Sequence, residues 1–135
     1  MVNLHVYIHF NGDCREAMEF YKRCFGGNLT LSTFAGSPME SQVPANMKDK
    51  IIHSTLESGN IVIVADDMTR PGAVTVGNNV SLYVQGSSVP EIEAYFSKLA
   101  EGAKSVQPLT KAFFGTFGII NDKFGISWVF QTDAQ

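Results

Sequence analysis

The sequence predicts an α+β fold of two successive modules, each running strand, helix, three strands. Three observations predict it. The physical pattern of the chain repeats at an offset of 75 residues, which sets Glu16 on Glu91, Phe20-Tyr21 on Tyr95-Phe96 and Gly27 on Gly102. Two segments carry apolar residues at helical spacing. Eight further runs are rich in β-branched and aromatic residues and are bounded by turn formers.

In the first module, residues 4–10 read as a strand that leads into a helix opened by Asp13, with Glu16 three positions later as a capping box. Ala17, Phe20, Tyr21 and Cys24 then fall on one helical stripe, and Gly26-Gly27 supplies the stop. Residues 28–35, 50–57 and 60–66 read as strands, the last two joined by a tight hairpin at Ser58-Gly59. Residues 36–49, with Pro38, Pro44, Met39 and Met47, form a long irregular loop: a lid, a binding loop or a disordered segment.

The second module repeats this order. Residues 80–85 form a strand, and Ser88 with Glu91 caps a helix whose stripe is Ile92, Tyr95, Phe96 and Leu99. Pro90 sits in its first turn, where the missing N–H costs nothing, and Gly102 follows its end. Residues 104–109, 113–121 and 126–132 read as strands, with Asp122-Lys123-Phe124-Gly125 as a turn. One domain of two repeats is expected, residues 1–66 and 79–135, joined by a linker over 67–78 that contains Arg70-Pro71-Gly72.

Composition excludes several classes. With 44% apolar and 17% charged residues, a 135-residue chain can bury roughly 70% of its unfolded surface and needs no metal or disulfide to fold. Ten Lys and Arg against thirteen Asp and Glu leave a net charge of −3, the wrong balance for nucleic acid as the main partner. The longest aliphatic run, residues 61–65, is too short to span a bilayer. Met1-Val2-Asn3-Leu4-His5 lacks the basic and apolar regions of a signal peptide, so a cytoplasmic location is expected. Cys14 and Cys24 stand ten residues apart on one helix, roughly 15 Å by its rise, too far to pair with each other. They read as buried structural thiols.

The segment Phe10-Asn11-Gly12-Asp13-Cys14-Arg15-Glu16-Ala17-Met18-Glu19-Phe20-Tyr21, followed by Phe25-Gly26-Gly27, carries a family resemblance. Ile52-His53-Ser54-Thr55-Leu56, Val64-Ala65-Asp66, Phe114-Gly115 and Asn121-Asp122-Lys123-Phe124-Gly125-Ile126-Ser127-Trp128 continue it in order. The chain resembles the vicinal oxygen chelate superfamily of glyoxalases, bleomycin-resistance proteins and extradiol dioxygenases, and most closely its PhnB-like branch. The resemblance implies paired βαβββ modules whose strands form a curved, half-open mixed sheet around a ligand cavity, and it implies a homodimer. In metal-dependent members it implies a divalent ion held from the first strand of each module and the last strand, with open positions for substrate oxygens. Those positions fall here near Val6, with His5 next door, on Asn79, and on Val129, with Gln131 on its face and Asp133 beyond. At best one of the three carries a good ligand. Members have also been named as ubiquinone-pathway methyltransferases, but no cofactor or nucleotide motif stands in this sequence.

His5 and His9 are four apart on a strand, roughly 13 Å, too far for one ion to bridge with bonds near 2.1 Å. His53 and Glu57 share that spacing. A rearranged metal site would therefore combine His5 or His9 with His53 and a carboxylate such as Glu57 or Asp66. His53, Glu57 and Asp66 are the catalytic candidates, and His5 and His53 the weak metal candidates. The aromatic cluster Phe113, Phe114, Phe117, Phe124, Trp128 and Phe130 suggests a pocket wall, with Phe113, Phe114, Trp128 and His9 as candidate ligand contacts. The favoured expectation is a protein that binds an apolar or aromatic small molecule. The alternative is a lyase, isomerase or dioxygenase-type enzyme with a rearranged site around His5, His9, His53 and Glu57; a divalent metal belongs to that alternative.

Overall fold

The computed structural model describes residues 1–70 and 72–133. In chain order these form β1 (Val6–Phe10), α1 (Cys14–Phe25), β2 (Asn28–Thr33), β3 (Ile51–Ser58), β4 (Ile61–Asp67), β5 (Leu82–Gly86), α2 (Val89–Leu99), β6 (Ser105–Ala112), β7 (Gly115–Asn121) and β8 (Ser127–Thr132). The strands make two four-stranded sheets of the same topology, β1-β4-β3-β2 and β5-β8-β7-β6. In each, the first and last strands of the module pair in parallel and the other neighbours are antiparallel. This is the α+β architecture of two βαβββ modules. The chain divides into two compact units, Met1–Thr75 and Val76–Gln135. Pro71, in the expected linker, lies outside the described residues. None of the described helices is long and apolar enough to cross a membrane.

In the first unit α1 packs on β2, β3 and β4. Ala17, Phe20, Tyr21 and Cys24, the stripe of the amphipathic pattern, are all buried, as are Ile8, Phe10, Leu56, Ile63 and Ala65 on the strands. The capping box is absent at this helix: Asp13 makes no side-chain cap bond. Asp67 at the end of β4 does that work instead. Its Oδ1 accepts from the N–H groups of Gly12 (2.9 Å) and Cys14 (3.0 Å), and its Oδ2 accepts from Ile51 N–H (2.9 Å). Asp67 is therefore a buried structural carboxylate that ties α1, β3 and β4 together.

Two further boundaries differ from expectation. The β3–β4 turn is Gly59-Asn60, since Ser58 pairs with Ile61, and Gly59 has φ +58° at the first central position as a II′ hairpin requires. Residues 36–49 contain two 3₁₀ turns, Glu40–Gln42 and Ala45–Met47, with Val43 buried between them. The loop ends are tied by Ala35 N–H to Lys48 O (2.9 Å) and Phe34 N–H to Lys50 O (3.1 Å).

In the second unit α2 packs on β5 and β8. Here the cap works: Ser88 accepts from Glu91 N–H, while Glu91 Oε1 reaches back to Ser87 N–H at 2.9 Å, one residue earlier than in the usual box. Ile92, Phe96 and Leu99 are buried, with Tyr95 at the edge of the stripe. β6 runs on through Pro108 to Ala112; the register shift between Gln107 and Thr110 absorbs the proline on this edge strand. Phe113-Phe114 is a two-residue turn, not the start of a strand, because Ala112 pairs with Gly115.

Both cysteines are buried thiols. The Cys14 thiol is pushed up from 9.0 to about 12; burial is the main cause, the contact with Ser54 opposes it, and the charges of Asp67, Asp66 and Asp13 add to it. Between pH 9 and 12 the unfolded chain therefore binds fewer protons than the folded one, and stability falls as pH rises through that window. Denaturation midpoints measured from pH 8 to 10 should decline, and Cys14→Ala should flatten the decline.

Candidate functional site

Strand alternation decides which side chains the first sheet leaves uncovered. On β1, Ile8 and Phe10 turn inward, whereas Tyr7 and His9 point outward and are exposed. The parallel register sets His9 beside Asp66 and Tyr7 beside Val64. Across the sheet His53 pairs with Ser32 on β2 and shares the open face.

Asp66 organises this face. Its Oδ1 lies 2.7 Å from His9 Nδ1, and its Oδ2 accepts the Tyr7 hydroxyl at 3.0 Å. The His9 side chain is 50% exposed and that of Asp66 only 17%, so the carboxylate sits beneath the rings it holds. Tyr7 and His9 stack with centroids 4.9 Å apart, and the His53 ring meets Tyr7 edge-on at 6.2 Å. Desolvation, then the hydrogen bond and charge of Asp66, raise the Tyr7 phenol above its usual 10.0. With Nδ1 held by the carboxylate, the Nε2 edge of the His9 ring faces away from Asp66.

Of the sequence candidates, His9, Asp66 and His53 come together, joined by Tyr7. Tyr7 carries no functional signal of its own in the sequence, although strict alternation sets it on the face of His9. Glu57 does not join them: it pairs with Asn28 and Val62, four residues further along β3, roughly 13 Å from His53. His5 precedes β1 and is exposed.

In the second unit, Phe113 is 98% and Phe114 40% exposed at the β6–β7 turn. Their rings meet at 5.2 Å, and Phe114 meets Phe117 at 5.5 Å. Trp128 is only 2% exposed, and its indole N–H donates to Asp122 Oδ2 at 2.9 Å. Asp122 is fully buried and also accepts from the N–H groups of Phe124 and Ile126, so Trp128 belongs to a structural corner around the turn.

Among the described residues no three His, Cys, Asp or Glu side chains gather closely enough to hold a metal ion. Val6 turns inward-half-buried on β1, Asn79 lies in the loop before β5, and Val129 pairs with Tyr83 and Ile119 on β8. These residues do not fit a divalent ion within either unit.

Residues 3–131 match the family model described as 3-demethylubiquinone-9 3-methyltransferase, and the chain belongs to that family. Its fold is that of the glyoxalase/bleomycin resistance/dioxygenase superfamily, in the PhnB-like branch. Protein PA1353 from Pseudomonas aeruginosa is 34% identical, with a TM-score of 0.79 over 98% of this chain and 100% of that one. A PhnB protein from Bacillus cereus, provisionally given the same methyltransferase name, is 26% identical with a TM-score of 0.76 over 97% and 99% of the two chains. A glyoxylase/bleomycin resistance protein/dioxygenase domain from Frankia sp. EAN1pec shares the fold at 17% identity, with a TM-score of 0.66 over 98% and 92%.

Proposed function

We propose that the protein binds a small ring-bearing molecule on the open face of the β1-β4-β3-β2 sheet, without transforming it. The observation that carries this reading is Asp66 holding Tyr7 and His9 together on an exposed sheet face. A recessed carboxylate that fixes two exposed rings makes a pre-ordered platform, and pre-ordering lowers the entropic cost of binding. The stacked Tyr7 and His9 rings offer a flat surface, and His9 Nε2 and His53 offer polar contacts at its edge. Phe113 and Phe114, exposed on the second unit, are a second set of ligand contacts in this reading, in a homodimer with a cytoplasmic location.

A thermal-shift screen of aromatic and heteroaromatic compounds tests it. A true ligand at a hundredfold excess over its Kd adds about 2.7 kcal/mol of stability. Asp66→Ala should abolish most of that gain while changing the unliganded stability by only about 1 kcal/mol or less, because its partners are exposed. A gain of equal size in the variant refutes the reading.

One observation supports a second reading. A carboxylate on Nδ1 is the usual support of a metal-ligating or proton-transferring histidine. An enzyme with a rearranged site around His9, His53 and Asp66 would follow. Elemental analysis of protein purified without tag or chelator separates the two: stoichiometric metal lost in His53→Ala favours the enzyme.

A further inference from the structure

The second unit contains a cavity of about 350 Å³ between α2 and the β6–β7 hairpin, lined by Val89, Glu93, Phe96, Leu109, Lys111 and Thr116. Its chemistry is unlike a packing defect. Val89, Glu93 and Phe96 are spaced i, i+4, i+7 and so share one stripe of α2, which sets the exposed Glu93 at the rim of the cavity. Lys111 and Thr116 are cross-strand partners at the end of the hairpin. Glu93 and Lys111 line the same cavity, yet no ion pair joins them among the described residues. Thr116, 4% exposed, lines the cavity beside Lys111. Phe96 and Leu109 supply the apolar wall, and Gly118 lets them close on the strand: a Cβ there would lie 2.7 Å from the Phe96 ring and 3.0 Å from Leu109.

We propose that this cavity binds a small zwitterion with an apolar body, an α-amino acid of the leucine or phenylalanine type. The ligand carboxylate meets Lys111, its ammonium group meets Glu93, and its side chain packs on Phe96 and Leu109. The volume lies at the low end for ligand sites, which suits a molecule of this size. The site is built entirely within the second unit and does not depend on the ligand platform around Asp66.

The test is calorimetric titration of the full chain with L-leucine and L-phenylalanine, beside 4-methylpentanoate and isopentylamine, which each lack one charge. Saturable binding of an amino acid is expected, with both single-charge analogues weaker by about tenfold or more. Glu93→Gln and Lys111→Met, both at exposed positions, should each weaken the amino acid about tenfold. The proposal is overturned by an absence of saturable binding at about 10 mM ligand. It is equally overturned by indifference to either charge variant, or by an analogue that binds as well as the amino acid.

Discussion

Asp67→Ala should lower the stability of the protein by about 3–5 kcal/mol, a large share of the roughly 5–15 kcal/mol typical of a domain. The carboxylate is 3% exposed and accepts three backbone N–H groups, from Gly12, Cys14 and Ile51. Removing it strands those donors, two of them in buried surroundings, at about 1–3 kcal/mol each, with water recovering part of the loss at Gly12. Thermal denaturation should show Tm falling by roughly 10–20 °C. Asp67→Asn separates the contributions. It keeps an oxygen for Gly12 and Cys14 but turns an amide toward the Ile51 N–H, so about 1–3 kcal/mol should be lost. Equal stability of wild type and Asp67→Ala would show that the three donors find other partners.

Gly115→Ala should cost about 3 kcal/mol or more. Gly115 has φ +134°, and a Cβ there would lie 2.0 Å from the Thr132 carbonyl oxygen and 3.0 Å from Asp133 Cα. Both obstacles are backbone of the neighbouring strand, so relief requires β7 and β8 to separate where Thr116 pairs with Thr132. Gly26→Ala is the control: its φ is +74° but nothing lies within 4 Å of the added Cβ. With ψ −158° it sits in a positive-φ extended region that essentially only glycine populates, so it should show that backbone penalty alone, about 1–3 kcal/mol. Denaturant titration of the two variants measures the difference, and equal losses would remove the strand contact as the cause.

The same positions show how far local sequence reaches. Both helices were legible because their apolar stripes came with strong punctuation, and Ser88 with Glu91 kept its capping role. Asp13 carried the same signal and does not cap, because Asp67, more than fifty residues away, supplies acceptors to that turn instead. Phe113-Phe114 reads as strand by residue type; the turn is set by the pairing of Ala112 with Gly115 and by the approach of Gly115 to Thr132. Buried acids were the least legible. Asp66 and Asp67 are adjacent acids with the same local signal, yet alternation sends Asp66 to the open face and Asp67 into the core. The platform divides in the same way. Tyr7 and His9 share a face by alternation alone, but their meeting with Asp66 depends on the parallel pairing of β1 with β4, which no local signal encodes.

A ligand on the proposed platform of Tyr7, His9 and Asp66 lies against the His9 and His53 rings. The most direct measurement follows the histidine side chains by NMR, in protein carrying isotope-labelled histidine, during titration with the most stabilising compound of the thermal-shift screen. The His9 and His53 imidazole signals should shift in a saturable way, the His5 signal should stay in place, and the response should disappear in Asp66→Ala. Saturable binding that leaves His9 and His53 unmoved would contradict it.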